Sequence, residues 1–243
     1  MTRAEGTPIV RTLLFDVLGT VVDERGSLAS ECAAALAIAE VGAGQAELLA
    51  AAWHRHMDGK LAQVIAGVAP WQPRDVLGRE SLHEAAAELG LADLPASVLD
   101  DLALAGQRLR AWPDAAEGLR ILSGRYAVVA LSNATLAELT GMSAVNGLAW
   151  HCVLSAALTR AYKPDPVVYQ MALDLLQLNP EQTLFVAAHP WDLRAAASQG
   201  MRTAYISRLD EGTPSAGDQF DLYATDLAGL AAAITGGVAP ASP

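Results

Sequence analysis

Past Trp112 the chain alternates short apolar runs with helical patterns, and this alternation narrows its fold more than any other feature. Residues 126–131 (YAVVAL), 183–188 (TLFVAA) and 202–206 (RTAYI) read as strands. Between the first two, Val168, Met171, Ala172, Leu175 and Leu176 mark one face of a helix. Parallel neighbours need crossover connections, so strands separated by helices imply a parallel sheet with helices over its faces. An earlier run, residues 11–16 (RTLLFD), reads as a buried strand followed by a loop at Gly19. From about residue 27 to 110 the pattern is helical instead. There Leu82, Ala85, Ala86 and Leu89 fall at i, i+3, i+4 and i+7, Gly90 stops them, and residues 67–73 (GVAPWQP) interrupt the block. Trp112-Pro113-Asp114 suits the start of a further helix. The expected fold is α/β. A parallel-sheet core takes residues 10–21 and 112–235, a helical block of residues 22–111 is inserted after the first strand, and residues 236–243 form a mobile tail.

In open parallel sheets ligands bind beyond the carboxyl ends of the strands. That rule puts Asp16, Ser132, Asn133 and the segment after Ala188 on one rim, with the helical block placed to roof it. Singly, each piece is ordinary. An Asp after a strand mostly forms a turn or a cap, Ser-Asn caps a helix, a lone Lys is solvated, and Asp192 suits the helix that follows it. Together, Asp16, Ser132, Lys163 and Asp192 supply a nucleophile, an anion-binding hydroxyl and a balanced charge pair.

A formal net charge of -11 argues against nucleic acid or an anionic membrane surface as partner, and any anionic substrate must be held by local positive groups. With 52% apolar and 5% aromatic residues, the core must come largely from Ala, Leu and Val. No apolar run approaches a membrane span, and residues 1–10 lack a signal-peptide pattern. Cys32 and Cys152 read as two buried thiols, and the expected compartment is the cytoplasm.

The order DxxGT, SN, KPDP and a final Asp resembles the haloacid dehalogenase superfamily, and within it the (S)-2-haloacid (L-2-haloacid, type II) dehalogenases. The stretches FDVLGTVVD, LSN, YKPDPVVY and VAAHPWDLRAAA carry the resemblance across roughly residues 10–210. It implies a Rossmann-like core with a helical cap after the first strand. It also implies hydrolytic dehalogenation of a small 2-haloalkanoic acid to the 2-hydroxy acid, through an ester on Asp16, with no metal and no cofactor. By resemblance Asp16 is the nucleophile, Thr20 orients it, Lys163 neutralises it, and Asp192 fixes Lys163 and helps the hydrolytic water. Ser132 and Asn133 would hold the substrate carboxylate. Leu18, His54, Tyr169 and His189 complete the substrate-binding set, Tyr169 by supporting the network, and Trp53 begins the covering helix. Pairing of two copies through the cap is also implied. The chemistry is coherent: a carboxylate of pKa about 4 is ionised at neutral pH and attacks carbon, and chloride, bromide or iodide leaves without a proton.

The chain also departs from the family it resembles. Leu18 stands where the superfamily's phosphatases carry a general-acid Asp, and residues 185–191 lack the further acidic residue that helps hold magnesium. Both changes disfavour a magnesium-dependent phosphatase. Dehalogenases usually have an aromatic residue at Leu18, and their Arg after the cap Trp is here His54. Arg55 lies about 100° further round the helix and is no simple substitute. Ala187 and His189 replace a Ser and an Asn of some members. The role of His54 stays open: a surface histidine of the cap, a halide or carboxylate donor, or a general acid for a leaving group that needs a proton. Fluoroacetate hydrolysis, azetidine-2-carboxylate ring opening, phosphatase action and non-catalytic binding remain the alternatives.

Overall fold

A computed structural model describes residues 9–42 and 44–236 of the chain. Strand β1 (Thr12–Phe15) leads through a tight loop to β2 (Val22–Asp23). Helices α1 (Glu24–Ile38), α2 (Gly44–Ile65), α3 (Arg74–Glu88) and α4 (Ala96–Leu102) follow, and the chain returns at β3 (Arg110–Ala111). Strand and helix then alternate through α5 (Ala115–Ser123), β4 (Ala127–Ser132), α6 (Leu136–Asn146), β5 (Cys152–Ser155), α7 (Pro166–Leu175) and β6 (Thr183–Ala187). The last elements are α8 (Pro190–Ser198), β7 (Arg202–Ile206), β8 (Leu222–Ala224) and α9 (Leu227–Gly236).

Six strands form one parallel sheet in the order β5-β4-β1-β6-β7-β8. The order runs one way from β1 through β4 and the other way through β6, so the carboxyl end of β1 lies at the switch point where such sheets leave a crevice. Leu13, Phe15, Val128, Ala130, Leu184 and Val186 bury on one face; Leu14, Val129, Leu131, Phe185 and Ala187 bury on the other. Burial on both faces explains why the central strands read as unbroken apolar runs rather than alternating ones. Strands β2 and β3 pair antiparallel, Val22 with Ala111 and Asp23 with Arg110, so the four helices between them leave and rejoin the core through one short ribbon.

Several local expectations need correction. Strands β5 and β8 are additions; both are edge strands of four and three residues, paired on one side only, and so carry little hydrophobic pattern. The buried face of α7 is Val168, Tyr169, Ala172 and Leu173, whereas Leu175 is exposed at the helix end. Cys152 is only half-buried, on edge strand β5. Helix α5 does start directly after Asp114, as expected, but the Asp114 carboxylate receives Arg208 and the backbone N–H of Leu227 and does not cap the helix. Gly236 closes α9 instead of opening a tail, and residues 237–243 lie outside the described residues. Among the described residues, no helix is long and apolar enough to cross a membrane.

Candidate active site

Asp16 follows β1 directly, and its backbone N–H still donates to Val186 O at 3.0 Å, so the sheet itself fixes the carboxylate's position. The chain then doubles back: Val21 and Val22 N–H groups both reach the Val17 carbonyl, and Gly19 supplies the positive φ of 76° that this turn requires. The turn brings Thr20 beneath Asp16. Its hydroxyl donates to Asp16 Oδ2 at 2.6 Å and accepts from Ala188 N at 2.8 Å, linking the ends of β1 and β6.

Lys163 arrives from the loop before α7, with Asp165 capping that helix. Its ammonium donates to Asp16 Oδ1 at 2.7 Å and to Asp192 Oδ2 at 2.5 Å, and all three side chains are buried. Tyr169, from the first turns of α7, donates its hydroxyl to Asp192 Oδ1 at 2.5 Å. Asn133 holds the lysine's backbone: its Oδ1 accepts from Lys163 N at 2.8 Å and its Nδ2 donates to Lys163 O at 3.4 Å. Two carboxylates therefore share one ammonium without solvent. Burial alone would push Asp16 up, but Lys163, His189 and the hydrogen bonds from Lys163 and Thr20 outweigh it and hold Asp16 below the usual carboxylate range. For Asp192 burial wins, and its pKa lies above that range despite Lys163. Burial opposes the charge on Lys163, while Asp16 and Asp192 more than restore it.

A cavity of about 290 Å³ opens over Asp16, at the small end of ligand pockets (roughly 300–1,000 Å³). From the core it is lined by Leu18, Asn133, Lys163, His189 and Trp191, and from the four helices by His54, Met57, Asp58, Leu61 and Arg74. Two residues expected at the substrate do not reach it. Ser132 is fully buried below the cavity, with its Oγ accepting from Ala134 N at 3.1 Å; it is spent on the turn out of β4. Tyr169 is likewise buried behind Asp192. Arg55 turns to the outer surface, where Glu88 takes it with both oxygens at 2.6 Å. Trp53 packs inward and donates to Gly78 O at 2.7 Å. His54 does face the cavity, with Nε2 3.7 Å from Asp58 Oδ2.

Among the lining residues that escaped the sequence reading are Glu24, Arg74, Trp191 and Glu211. Arg74 carried a signal. A cation at the first position of a helix opposes the helix dipole, which points to a tertiary partner. Its guanidinium meets Glu24 of α1 and, at 3.0 Å, Glu138 of α6, so one partly buried side chain ties α3 to two elements outside it. Glu211 lies in irregular chain and offered no pattern.

Burial pushes Glu24 up, but Arg74, then His54, outweigh it and hold its carboxyl below the ordinary 4.5. A folded value below the unfolded one stabilises the fold above the ordinary range and ceases to do so as the pH falls through the folded value. Glu24→Gln is therefore expected to cost about 1–3 kcal/mol at neutral pH, and less at about pH 3. Urea unfolding of both proteins at the two pH values checks this; an undiminished cost in acid would refute it.

Among the described residues, no group of three or more His, Cys, Asp or Glu is arranged to hold a metal ion. A family model for haloacid dehalogenase-like hydrolases matches residues 10–200. The (S)-2-haloacid dehalogenase 4A of Burkholderia cepacia is 33% identical over 212 residues, 84% of this chain and 85% of its own. A crystal structure of an L-2-haloacid dehalogenase superposes with a TM-score of 0.86 at 38% identity, over 93% of this chain and 99% of that one. A defluorinating L-2-haloacid dehalogenase gives 0.85 at 32% identity, over 93% and 95%.

Proposed function

The chain belongs to the haloacid dehalogenase-like hydrolases, and from that premise we propose that it converts a small 2-haloalkanoic acid to the 2-hydroxy acid through an ester on Asp16, without a metal. The observation that carries this reading is the ammonium of Lys163 between Asp16 and Asp192, at 2.7 and 2.5 Å. With the ammonium already paired to both carboxylates, no divalent cation is needed to balance their charge. In place of a metal, the lysine keeps Asp16 anionic and stabilises charge in both steps.

An Asp16 oxygen attacks the α-carbon, the carbon–halogen bond breaks, and the halide departs with the bonding electrons. Leu18 beside the site transfers no proton, and chloride or bromide requires none. In-line displacement sends the halide away from Asp16, towards the wall that α2 and α3 contribute. His54 stands in that wall as a hydrogen-bond donor for the departing halide. Water then attacks the ester carbonyl with help from Asp192, and Asp16 is regenerated. Burial shifts Asp192 towards the basicity this role needs.

The test is halide release from fluoro-, chloro- and bromoacetate and both 2-chloropropionate enantiomers, in the presence of chelator. Release from chloroacetate and from one enantiomer, undiminished by chelator, is expected. Silence across the whole panel would overturn dehalogenation, and release abolished by chelator would overturn the metal-free mechanism.

A further inference from the structure

His189 sits between two backbone carbonyls: its Nδ1 is 3.0 Å from Glu211 O and its Nε2 3.0 Å from Leu18 O. Carbonyl oxygens only accept, and a neutral imidazole carries a single N–H. In the neutral ring one nitrogen lone pair would face a carbonyl lone pair at hydrogen-bond distance. Only the doubly protonated ring satisfies both contacts.

The surroundings agree. Nε2 lies 3.6 Å from Asp16 Oδ2, Nδ1 lies 3.9 Å from Glu211 Oε2, and the ring stacks on Trp191 at 5.6 Å and 13°. Glu24 of α1 also faces this region, as do the cations Arg25 and Lys163. Burial and the N-terminus of α8 both oppose the charge, yet Asp16, Glu211 and the two carbonyls outweigh burial and hold His189 above its ordinary value.

The charge has a consequence for substrate binding. Both oxygens of Asp192 accept hydrogen bonds, from Lys163 and Tyr169, as a carboxylate's do. Asp16, Asp192 and Lys163 together thus carry one net negative charge. A haloacid would bring a second to a buried place where water screens little. Resting on the haloacid reading, we propose that His189 is a fixed imidazolium beside the nucleophile, and that its charge is what lets this site take an anionic substrate. The ring flanks Asp16, whereas an in-line leaving group departs on the far side of the carbon. Pinned at both nitrogens, His189 acts on the anion and donates no proton to the halide.

Two measurements test the proposal. In protein labelled with nitrogen-15 at histidine, NMR at neutral pH is expected to show both His189 nitrogens protonated; a singly protonated ring overturns the assignment. The second compares kcat/KM for chloroacetate and for chloroacetamide, which has the same size and leaving group but no charge. Where the amide turns over too slowly to read, its inhibition constant against chloroacetate replaces it. In His189→Asn the preference for acid over amide is expected to fall about tenfold or more. A preference that stays put, whether both substrates suffer equally or neither does, overturns the role. The NMR measurement needs no turnover. A doubly protonated ring in a protein that releases no halide from either compound would therefore sink the haloacid reading and leave the charge assignment standing.

Discussion

Replacing Asp16 with Asn is expected to lower halide release by at least about 10³-fold. The amide is nearly the same size and can keep the Thr20 hydrogen bond, so the change removes the negative charge that the proposed attack on carbon needs and little else. Lys163 then has one carboxylate in place of two, and Asp192 retains both of its donors, so the fold should survive. Circular dichroism and thermal melting establish that the variant is folded before its rate is read. A complementary result is expected from the wild type. During one turnover in heavy-oxygen water the label should enter the Asp16 carboxylate, because in the proposed mechanism water attacks the ester carbonyl while the product keeps an aspartate oxygen. Label found first in the hydroxy acid would mean direct attack by water and would end the ester mechanism.

Lys163→Met is the second large effect, and it acts on stability as well as rate. Both of the lysine's partners are buried, Asp16 at 3% and Asp192 at 0% exposure, and without the ammonium Asp16 keeps only Thr20 and the more distant His189, while Asp192 keeps only the Tyr169 hydroxyl. Removing one member of a buried ion pair typically costs about 3–5 kcal/mol, because the remaining charge stays desolvated. The sign with pH separates this cause from simple loss of packing. In the variant, burial and mutual repulsion should lift the carboxylate pair well above the usual range, so acidification protonates it and relieves the strain. In the wild type Lys163 holds Asp16 below that range, so it stays ionised from neutral pH down to about pH 5, and the same lysine limits the rise that burial causes in Asp192. Unfolding of the two proteins at neutral pH and about pH 5 should therefore show the gap narrowing in acid. A constant gap would assign the loss to packing alone. Halide release should fall together with stability at neutral pH, since Asp16 loses the cation that keeps it ionised.

The parts of this protein that could be read from the chain share one physical basis. A strand buried on both faces must be apolar throughout, so residues 12–15, 127–132 and 183–187 declared themselves as runs. The residue that ends such a run lies at the sheet's carboxyl rim, so Asp16 and the turn at Asn133 could be placed together across more than a hundred positions. The order of those rim residues along the chain was enough to expect that Asp16, Lys163 and Asp192 meet, as they do. Edge strands β5 and β8 were invisible because a strand paired on one side needs little hydrophobic pattern.

Direction and charge state lay beyond the chain. Ser132 and Asn133 are neighbours, yet the pleat of β4 and the turn after it bury one hydroxyl and spend the other side chain on Lys163. Arg55 and His54 are neighbours too, and the turn of α2 sends the arginine to Glu88 and the histidine to the cavity. Arg74 found Glu24 and Glu138 only because three elements converge on it. His189 owes its two carbonyl acceptors to loops at Leu18 and Glu211 that meet in space alone. Periodicity along a chain reports which residues avoid water and on which rim a turn will fall. What a polar side chain touches, and hence which charge it carries, is decided by groups brought together from distant parts of the sequence.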